Sequence, residues 1–163
     1  MDRKWVYAFA EGDGKNKQLL GGKGANLCEM TRIGLNVPPG FVITTEACLA
    51  CLATPERNLP EGVMAQVRVQ MAALEAATGR SFGGRENPLL VSVRSGSAMS
   101  MPGMMDTILN LGLNADTLHG LIAQTGNERF AYDAYRRFIQ LFGKVALGVP
   151  GEAFDAEFEA VKQ

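Results

Sequence analysis

The sequence has 163 residues, of which 47% are hydrophobic and 20% are charged, and its formal net charge is −1. This composition excludes a disordered chain and suits one domain, or one domain with part of another. Because Lys and Arg are scattered among Asp and Glu, we expect no basic face that binds nucleic acid. The sequence contains no apolar run of about 18 residues and no signal peptide, so we expect no membrane contact and a cytoplasmic location.

A short strand and a helix are the first predicted elements. Residues 5–9 alternate aromatic and β-branched side chains with others, which predicts a strand. The segment Gly21-Gly22-Lys23-Gly24 then opens a helix, and Gly34 is its natural end. The apolar spacing within this helix predicts a buried stripe of three residues: Leu27, Met30 and Ile33.

A second strand and two helices follow. Residues 41–44 predict a buried strand, and Thr44 or Thr45 can cap a short helix that runs to about Ala53. A longer helix begins at Pro60 and ends at Gly79, as expected for a glycine at a helix C-terminus. Its apolar face is expected at Val63, Val67, Met71 and Leu74.

The second half of the chain begins with the clearest strand, at residues 89–93, which we expect to be buried. A loop rich in Ser, Gly and Met follows at 95–106, and residues 108–113 predict another strand. Helices are then expected at 114–123 and 127–145, with a further helix near the end of the chain. The packed face of the helix at 127–145 is expected at Phe130, Ala134, Phe138, Leu141 and Val145.

This order of elements predicts an α+β (mixed α/β) fold. Residues 1–113 form the expected α/β part, and residues 114–163 form a small helical subdomain. Because the final helix has no partner after it, we expect the chain to be a fragment of a larger protein.

The cysteines and the single histidine have simple structural interpretations. Cys48 and Cys51 form a C-x-x-C pattern, but Cys28 is the one further cysteine, which is too few ligands for a typical zinc site. We interpret the pair as small apolar residues on a helix. His119 lies in an amphipathic helical pattern without basic or glycine-rich neighbours, so we expect a structural residue there.

Two motifs place basic residues where a phosphate could bind. Lys23 lies in a glycine-rich helix start, which permits close backbone approach to an anion, although a glycine turn with a solvated lysine is commoner. Arg94 follows a strand and enters a polar loop, where a guanidinium can grip a phosphate through two hydrogen bonds. The alternative is a structural arginine paired with Glu86 or Asp106.

The loop after Arg94 contains three methionines in five residues, between 101 and 105. Methionine is flexible and polarizable and can line an adenine-shaped slot, although it more often fills gaps in a core. The adjoining Pro102 and Gly103 favour a shaped loop that could close over a ligand.

The wording and order of these motifs resemble the pyruvate, phosphate dikinase and phosphoenolpyruvate synthase family. Residues 19–27 resemble its first signature, and residues 39–45 resemble the segment that follows it. Residues 91–112 and 127–138 are similar to the dikinase branch specifically. The resemblance covers essentially the whole chain, in order.

The resemblance implies that this chain is the front part of an ATP-grasp-like nucleotide-binding domain. The implied ATP contacts are Lys23, Arg94, Gly22, Gly24, Met101, Gly103, Met104, Met105, Asp106 and Thr107. It further implies a Mg²⁺ site, a swivelling phosphohistidine domain and a C-terminal barrel that binds pyruvate, all beyond residue 163, and a homodimer for the full-length protein. No catalytic residue is expected within this chain, and the fragment alone should be inactive.

The dikinase reaction implied by the family converts ATP, phosphate and pyruvate to AMP, pyrophosphate and phosphoenolpyruvate. Two alternatives remain at this point. One is the ATP-binding domain of a phosphoenolpyruvate synthase, which uses water in place of phosphate. The other is a stand-alone module without catalytic activity that binds a nucleotide or a protein.

Overall fold

The computed structural model describes residues 3–97 and 106–162. In chain order, the helices and strands of these residues are β1 (Val6–Ala8), α1 (Lys17–Arg32), β2 (Phe41–Ile43), α2 (Thr45–Leu52), α3 (Val63–Thr78), β3 (Val91–Arg94), β4 (Thr107–Leu111), α4 (Ala115–Thr125), α5 (Glu128–Val145) and α6 (Gly151–Lys162). This confirms the predicted mixed α/β class. Within the described ranges, no helix combines the length and the apolar character needed to cross a lipid bilayer.

Tertiary contacts divide the described residues into two compact units. The first comprises 3–79 together with Gly96 and Ser97, and the second comprises 80–95 and 106–162. The predicted division at residues 113 and 114 instead follows the change from mixed elements to helices, and it stays a prediction.

The first unit packs three helices with a two-stranded antiparallel sheet. Strands β1 and β2 pair with Val6 opposite Ile43 and Ala8 opposite Phe41. One cluster of buried residues consists of Trp5, Val6, Ala47 and Val63, and the other consists of Leu20, Ala25 and Cys28. Burial of these apolar side chains is the main favourable free energy that holds the helices on the sheet.

The second unit consists of the β3–β4 hairpin and the helices α4, α5 and α6. The strands pair antiparallel, with Arg94 opposite Thr107, and a register irregularity lies between Val91 and Val93. The buried cluster of this unit is formed by Leu113, Leu118, Leu121, Ala131 and Ala134. Helix α4 begins with a capping box, in which Asn114 accepts from the N–H of Thr117 and the Thr117 hydroxyl accepts from the N–H of Asn114.

The predicted buried stripe of α1 is wrong. Met30 and Ile33 are 39% and 57% exposed, and the face that α1 buries instead comprises Leu20, Gly21, Gly24, Ala25 and Cys28. Small residues on this face let the helix closely approach strand β2 and the turn that precedes the helix. The spacing of large apolar residues does not reveal such an approach, because it records side-chain size and not backbone distance.

Three further burial predictions are corrected by the structure. Val93 and Ile43 are 46% and 48% exposed, so β3 and β2 are not buried strands. Each belongs to a two-stranded sheet, in which a strand has one neighbour and limited cover. Phe130, predicted on the packed face of α5, is 52% exposed; the neighbouring Ala131 is buried instead, together with Ala134, which was predicted correctly.

The cysteines and the histidine lie on helices, as predicted. Cys48 is exposed and Cys51 is half-buried on α2, while His119 is exposed on α4. The Cys51 Sγ donates to the carbonyl of Arg57 at 2.9 Å.

Candidate nucleotide-binding site

Helix α1 is broken at Gly21, the first glycine of the predicted phosphate-binding segment. Gly21 has φ of 69° and ψ of 162°, a backbone conformation that is essentially restricted to glycine. A short helical segment therefore precedes the break, with Asn16 accepting from the N–H of Leu19 at 3.1 Å as its cap. A second segment starts at Gly22 and places Lys23 in its first turn.

The break is fastened to the start of the loop that follows β3. The N–H of Gly22 donates to the carbonyl oxygen of Ser97 at 2.8 Å. A Cβ atom added to Gly21 would lie 3.4 Å from the Ser97 nitrogen and 3.6 Å from the Gly96 carbonyl carbon. The glycine-rich segment and the start of the loop after β3 are far apart in the sequence, but they are thus in direct backbone contact.

Lys23 is the cation that this geometry presents to solvent. Its side chain is exposed, and it forms no ion pair with any other residue that the structure describes. Arg32 on the same helix differs, because it is paired with Glu29 at 2.5 Å. The hydrogen bond and the charge of Arg32 lower the pKa of the Glu29 carboxyl, and Glu29 raises the pKa of Arg32. Among the described residues, no such carboxylate pairs with the Lys23 ammonium and competes with an anionic ligand.

Gly24 has a packing role beside its predicted role at the ligand. It is buried, and a Cβ atom at this position would lie 2.9 Å from both γ carbons of Val42 in β2. No larger residue fits unless the helix moves away from the strand. Its contact with ATP stays a prediction.

Arg94 ends β3 and lies in the neck of the β3–β4 hairpin. Its guanidinium is exposed, and no ion pair joins it to Glu86 or Asp106, all three of which the structure describes. The carbonyl of Asp106 accepts from both the N–H and the hydroxyl of Ser95, at 3.1 and 3.0 Å. The structural alternative for Arg94, an ion pair with a nearby carboxylate, is therefore not what the structure contains.

The predicted site residues fall into three groups. Gly22, Lys23 and Gly24 belong to the first unit, whereas Arg94, Asp106 and Thr107 belong to the second. The remaining predicted contacts lie outside the described residues: Met101, Gly103, Met104 and Met105. The convergence of Lys23 and Arg94 on one ligand accordingly stays a prediction.

Two residues that bond the broken helix were not among the predicted contacts. Ser97 accepts from Gly22, and the hydroxyl of Thr45 donates to the carbonyls of Gln18 and Leu19 at 2.5 and 3.2 Å. In the sequence, Thr45 was a candidate helix cap, with Thr44, and the last residue of the family-like segment 39–45. The structure gives that cap to Thr44, whose side chain accepts from the N–H of Ala47 at 3.3 Å, and leaves the Thr45 hydroxyl for α1.

No described part of the chain brings together three or more His, Cys, Asp or Glu side chains in a group that could hold a metal ion. Cys28, on the buried face of α1, is fully buried, and burial raises the pKa of its thiol despite a hydrogen bond with the Gly12 backbone. The chemistry that the break in α1 offers to a ligand is the positive charge of the exposed Lys23 ammonium, which suits an anion.

Comparison with known proteins agrees with this chemistry. Residues 17–56, which contain the broken helix and Thr45, match the family described as "Pyruvate phosphate dikinase, AMP/ATP-binding domain". The pyruvate, phosphate dikinase of Entamoeba histolytica is 62% identical over 157 residues, which are 96% of this chain and 18% of that protein. The enzymes so named from Rhizobium meliloti and Arabidopsis thaliana (isoform 1, chloroplastic) are 52% and 48% identical, over 98% and 99% of this chain and 18% and 17% of their own lengths.

The chain thus spans less than a fifth of the length of these relatives, and the match runs through nearly all of its own residues. Nearly the whole chain is therefore similar to pyruvate, phosphate dikinases, and its residues 17–56 match the AMP/ATP-binding domain of that family.

Proposed function

We propose that this chain is the front part of the ATP-binding domain of a pyruvate, phosphate dikinase. The complete protein converts ATP, phosphate and pyruvate to AMP, pyrophosphate and phosphoenolpyruvate. The observation that carries the proposal is the broken helix within the matched residues 17–56, where Gly22 is bonded to Ser97 and the neighbouring Lys23 ammonium faces solvent.

Phosphoryl transfer depends on positioning and on neutralising phosphate charge, more than on covalent assistance from the protein. A lysine supplies a mobile point charge with three donors, and an arginine supplies a planar fork that bonds two phosphate oxygens. Lys23 and Arg94 are both exposed and have no ion-pair partner in the described ranges, so their charges are available to ATP. We propose that both bind the same polyphosphate.

The other components of the reaction are assigned to parts of the protein beyond this chain. Mg²⁺ normally binds phosphate oxygens together with one or two carboxylates. We place those carboxylates, the phosphohistidine on its swivelling domain and the pyruvate site outside residues 1–163. We further propose that the complete protein is a cytoplasmic homodimer. Within this chain, we propose that the α/β part ends at residue 113 and the helical subdomain begins at residue 114.

The direct test measures ATP-driven phosphorylation of the histidine in the complete protein. Lys23→Ala and Arg94→Ala should each slow this half-reaction by about a hundredfold or more, the loss typical of removing one charge-stabilising donor. The matched controls are Lys144→Ala and Arg68→Ala, which remove exposed cations without ion-pair partners in the described part of the chain. Phosphorylation by either site variant at the normal rate would refute the assignment of that residue.

A second assay separates the dikinase from the two alternatives. A dikinase requires inorganic phosphate and releases pyrophosphate, whereas a phosphoenolpyruvate synthase requires only water as the second acceptor. Phosphate dependence of phosphoenolpyruvate formation therefore supports the dikinase. An open reading frame that continues past Gln163 supports the enzyme, and a stop codon directly after it would favour the stand-alone module.

A further inference from the structure

The break in α1 removes a hydrogen bond that a regular helix would contain. In an uninterrupted α-helix, the N–H of Gly22 would donate to the carbonyl of Gln18, four residues earlier. Gly21 instead adopts φ of 69° and ψ of 162°, and the Gly22 N–H donates to Ser97 at 2.8 Å. The carbonyl of Gln18 consequently needs a donor from elsewhere in the fold.

Thr45 supplies that donor from the first turn of α2. Its hydroxyl lies 2.5 Å from the carbonyl oxygen of Gln18 and 3.2 Å from that of Leu19. These two carbonyls belong to the helical segment directly before the break. Two bonds from outside the helix thus replace the one that the helix loses at Gly21. The Gly22 N–H donates to Ser97, and the Gln18 carbonyl accepts from Thr45.

External bonds matter here because glycine does not set the angle between the two helical segments. Gly21 and Gly22 lack the side chains that restrict backbone rotation, so the chain at this point is more permissive than elsewhere in a helix. The direction in which Lys23 points depends on that angle, since Lys23 lies in the first turn after the break. A fixed angle requires contacts on each segment, and Thr45 provides the contact on the earlier one.

We infer that Thr45 is a positioning residue of the ATP site, whose hydroxyl holds the broken helix so that Lys23 is directed at the phosphates. The inference rests on the proposed function. Thr45 acts through the carbonyls of Gln18 and Leu19, to which its hydroxyl donates. Thr44, its neighbour, is buried and caps α2 instead, so the two threonines have separate tasks.

The experiment compares three variants of the complete protein. Thr45→Val removes the hydroxyl and keeps the shape, and Thr45→Ser keeps the hydroxyl. Thr31→Val is the matched control, because Thr31 also donates to a backbone carbonyl of α1, that of Leu27 at 2.8 Å, but lies beyond the break. The KM for ATP in the histidine phosphorylation half-reaction is measured for each, together with phosphoryl exchange between the histidine and phosphoenolpyruvate.

Thr45→Val should raise the KM for ATP by about three- to tenfold, the range expected when one neutral hydrogen bond is lost. Thr45→Ser and Thr31→Val should stay within about twofold of the unmodified protein, as should phosphoryl exchange with phosphoenolpyruvate in every variant. If Thr45 acts through Lys23, the Thr45→Val effect should shrink in a Lys23→Ala background, because coupled residues are not additive.

An unchanged KM for ATP in Thr45→Val would overturn the inference, and so would equal effects of Thr45→Val with and without Lys23. A fall in thermal stability without a change in that KM would identify the hydroxyl as a structural bond alone. The proposed function fails separately, if the unmodified protein does not use ATP or if Lys23→Ala phosphorylates the histidine normally.

Discussion

The N–H of Gly22 donates a 2.8 Å hydrogen bond to the carbonyl of Ser97, and this bond ties the break in α1 to the start of the loop after β3. The glycine-rich segment therefore has a role beyond the proposed contact with a phosphate, because it also anchors the broken helix. The Gly22 N–H already has a partner within the protein. If Lys23 binds ATP as proposed, the broken helix supports it, and substitutions can separate this support from ligand contact.

Gly21→Ala should both destabilise the first unit and weaken ATP binding. A side chain at φ of 69° and ψ of 162° costs about 1–3 kcal/mol, and the new Cβ would lie 3.4 Å from the Ser97 nitrogen. Urea unfolding of the 163-residue chain, followed by the fluorescence of its single tryptophan, Trp5, measures the first effect. ATP affinity of the complete protein measures the second.

The control for Gly21→Ala is Gly34→Ala. Gly34 also has a positive φ, of 79°, but a Cβ atom there would meet no other atom within 4 Å. It should lose about 1 kcal/mol of stability and keep normal ATP affinity. If both variants lowered ATP affinity equally, the effect would come from general destabilisation and not from the break.

Gly24→Ala should destabilise the packing of α1 on β2. Its Cβ atom would lie 2.9 Å from both γ carbons of Val42, and overpacking of this kind costs about 1–3 kcal/mol. Val42→Ala in the same chain should recover part of the loss by making room. Gly22→Ala is the comparison, because its Cβ would lie at an ordinary 3.7 Å from the Ser97 oxygen. Urea unfolding with Trp5 fluorescence would contradict the prediction if Gly24→Ala matched Gly22→Ala.

Glu11 should contribute to stability in a pH-dependent manner. The Ala8 N–H, which donates to its carboxylate at 3.1 Å, and then Lys4, at 3.2 Å, lower the pKa of Glu11. Because the pKa is lower in the folded state, this stabilisation is present above the unfolded pKa and is lost as the pH falls through the folded pKa. Glu11→Gln should therefore lower stability at pH 7, by less than about 1 kcal/mol because the pair is nearly half exposed.

Urea unfolding between pH 3 and pH 7, roughly spanning the ordinary carboxyl titration range, measures the Glu11 effect. The stability difference between Glu11→Gln and the unmodified chain should shrink as the pH falls. Glu56→Gln, which removes an exposed carboxyl without an ion pair among the described residues, serves as the control. A difference that grew as the pH fell would contradict the sign of the prediction.

The three cysteines should react with iodoacetamide in the order of their exposure. Cys48 is exposed, Cys51 is half-buried with its Sγ bonded to the Arg57 carbonyl, and Cys28 is fully buried. Burial also raises the pKa of the Cys28 thiol, which disfavours the reactive thiolate. Mass spectrometry of the native chain should find Cys28 modified only after urea is added. Modification of Cys28 as fast as Cys48 in native buffer would contradict its buried position.

Much of the secondary structure could be predicted because its signals are local. Thr44, one of the two predicted cap residues, caps α2, and Asn114 and Asn127 cap α4 and α5 where the sequence starts these helices. Gly79 ends α3 in a left-handed conformation, as predicted. Each signal depends on residues within about one helical turn. The prediction that the glycine-rich segment opens a helix was right in part, since helical structure already begins at Lys17 and restarts after Gly21.

In the candidate site too, local motifs could be predicted and remote partners could not. The motifs made Lys23 and Arg94 candidates, and both are exposed and free of ion pairs in the described ranges of the structure. The motifs did not identify Ser97 or Thr45 as partners of the broken helix. These partners are remote in sequence, and a backbone carbonyl or a threonine hydroxyl has no distinctive pattern of its own.

The sequence by itself determined where the helices and strands form, which family the chain resembles and which cations are candidates for the phosphates. Only the tertiary structure decided that α1 buries its small residues, that Gly24 meets Val42, and that Thr45 and Ser97 replace a missing helical bond. The physical reason is range. Capping and periodicity act between neighbours along the chain, whereas close approach and hydrogen-bond partnership depend on the shapes of segments that meet only after folding.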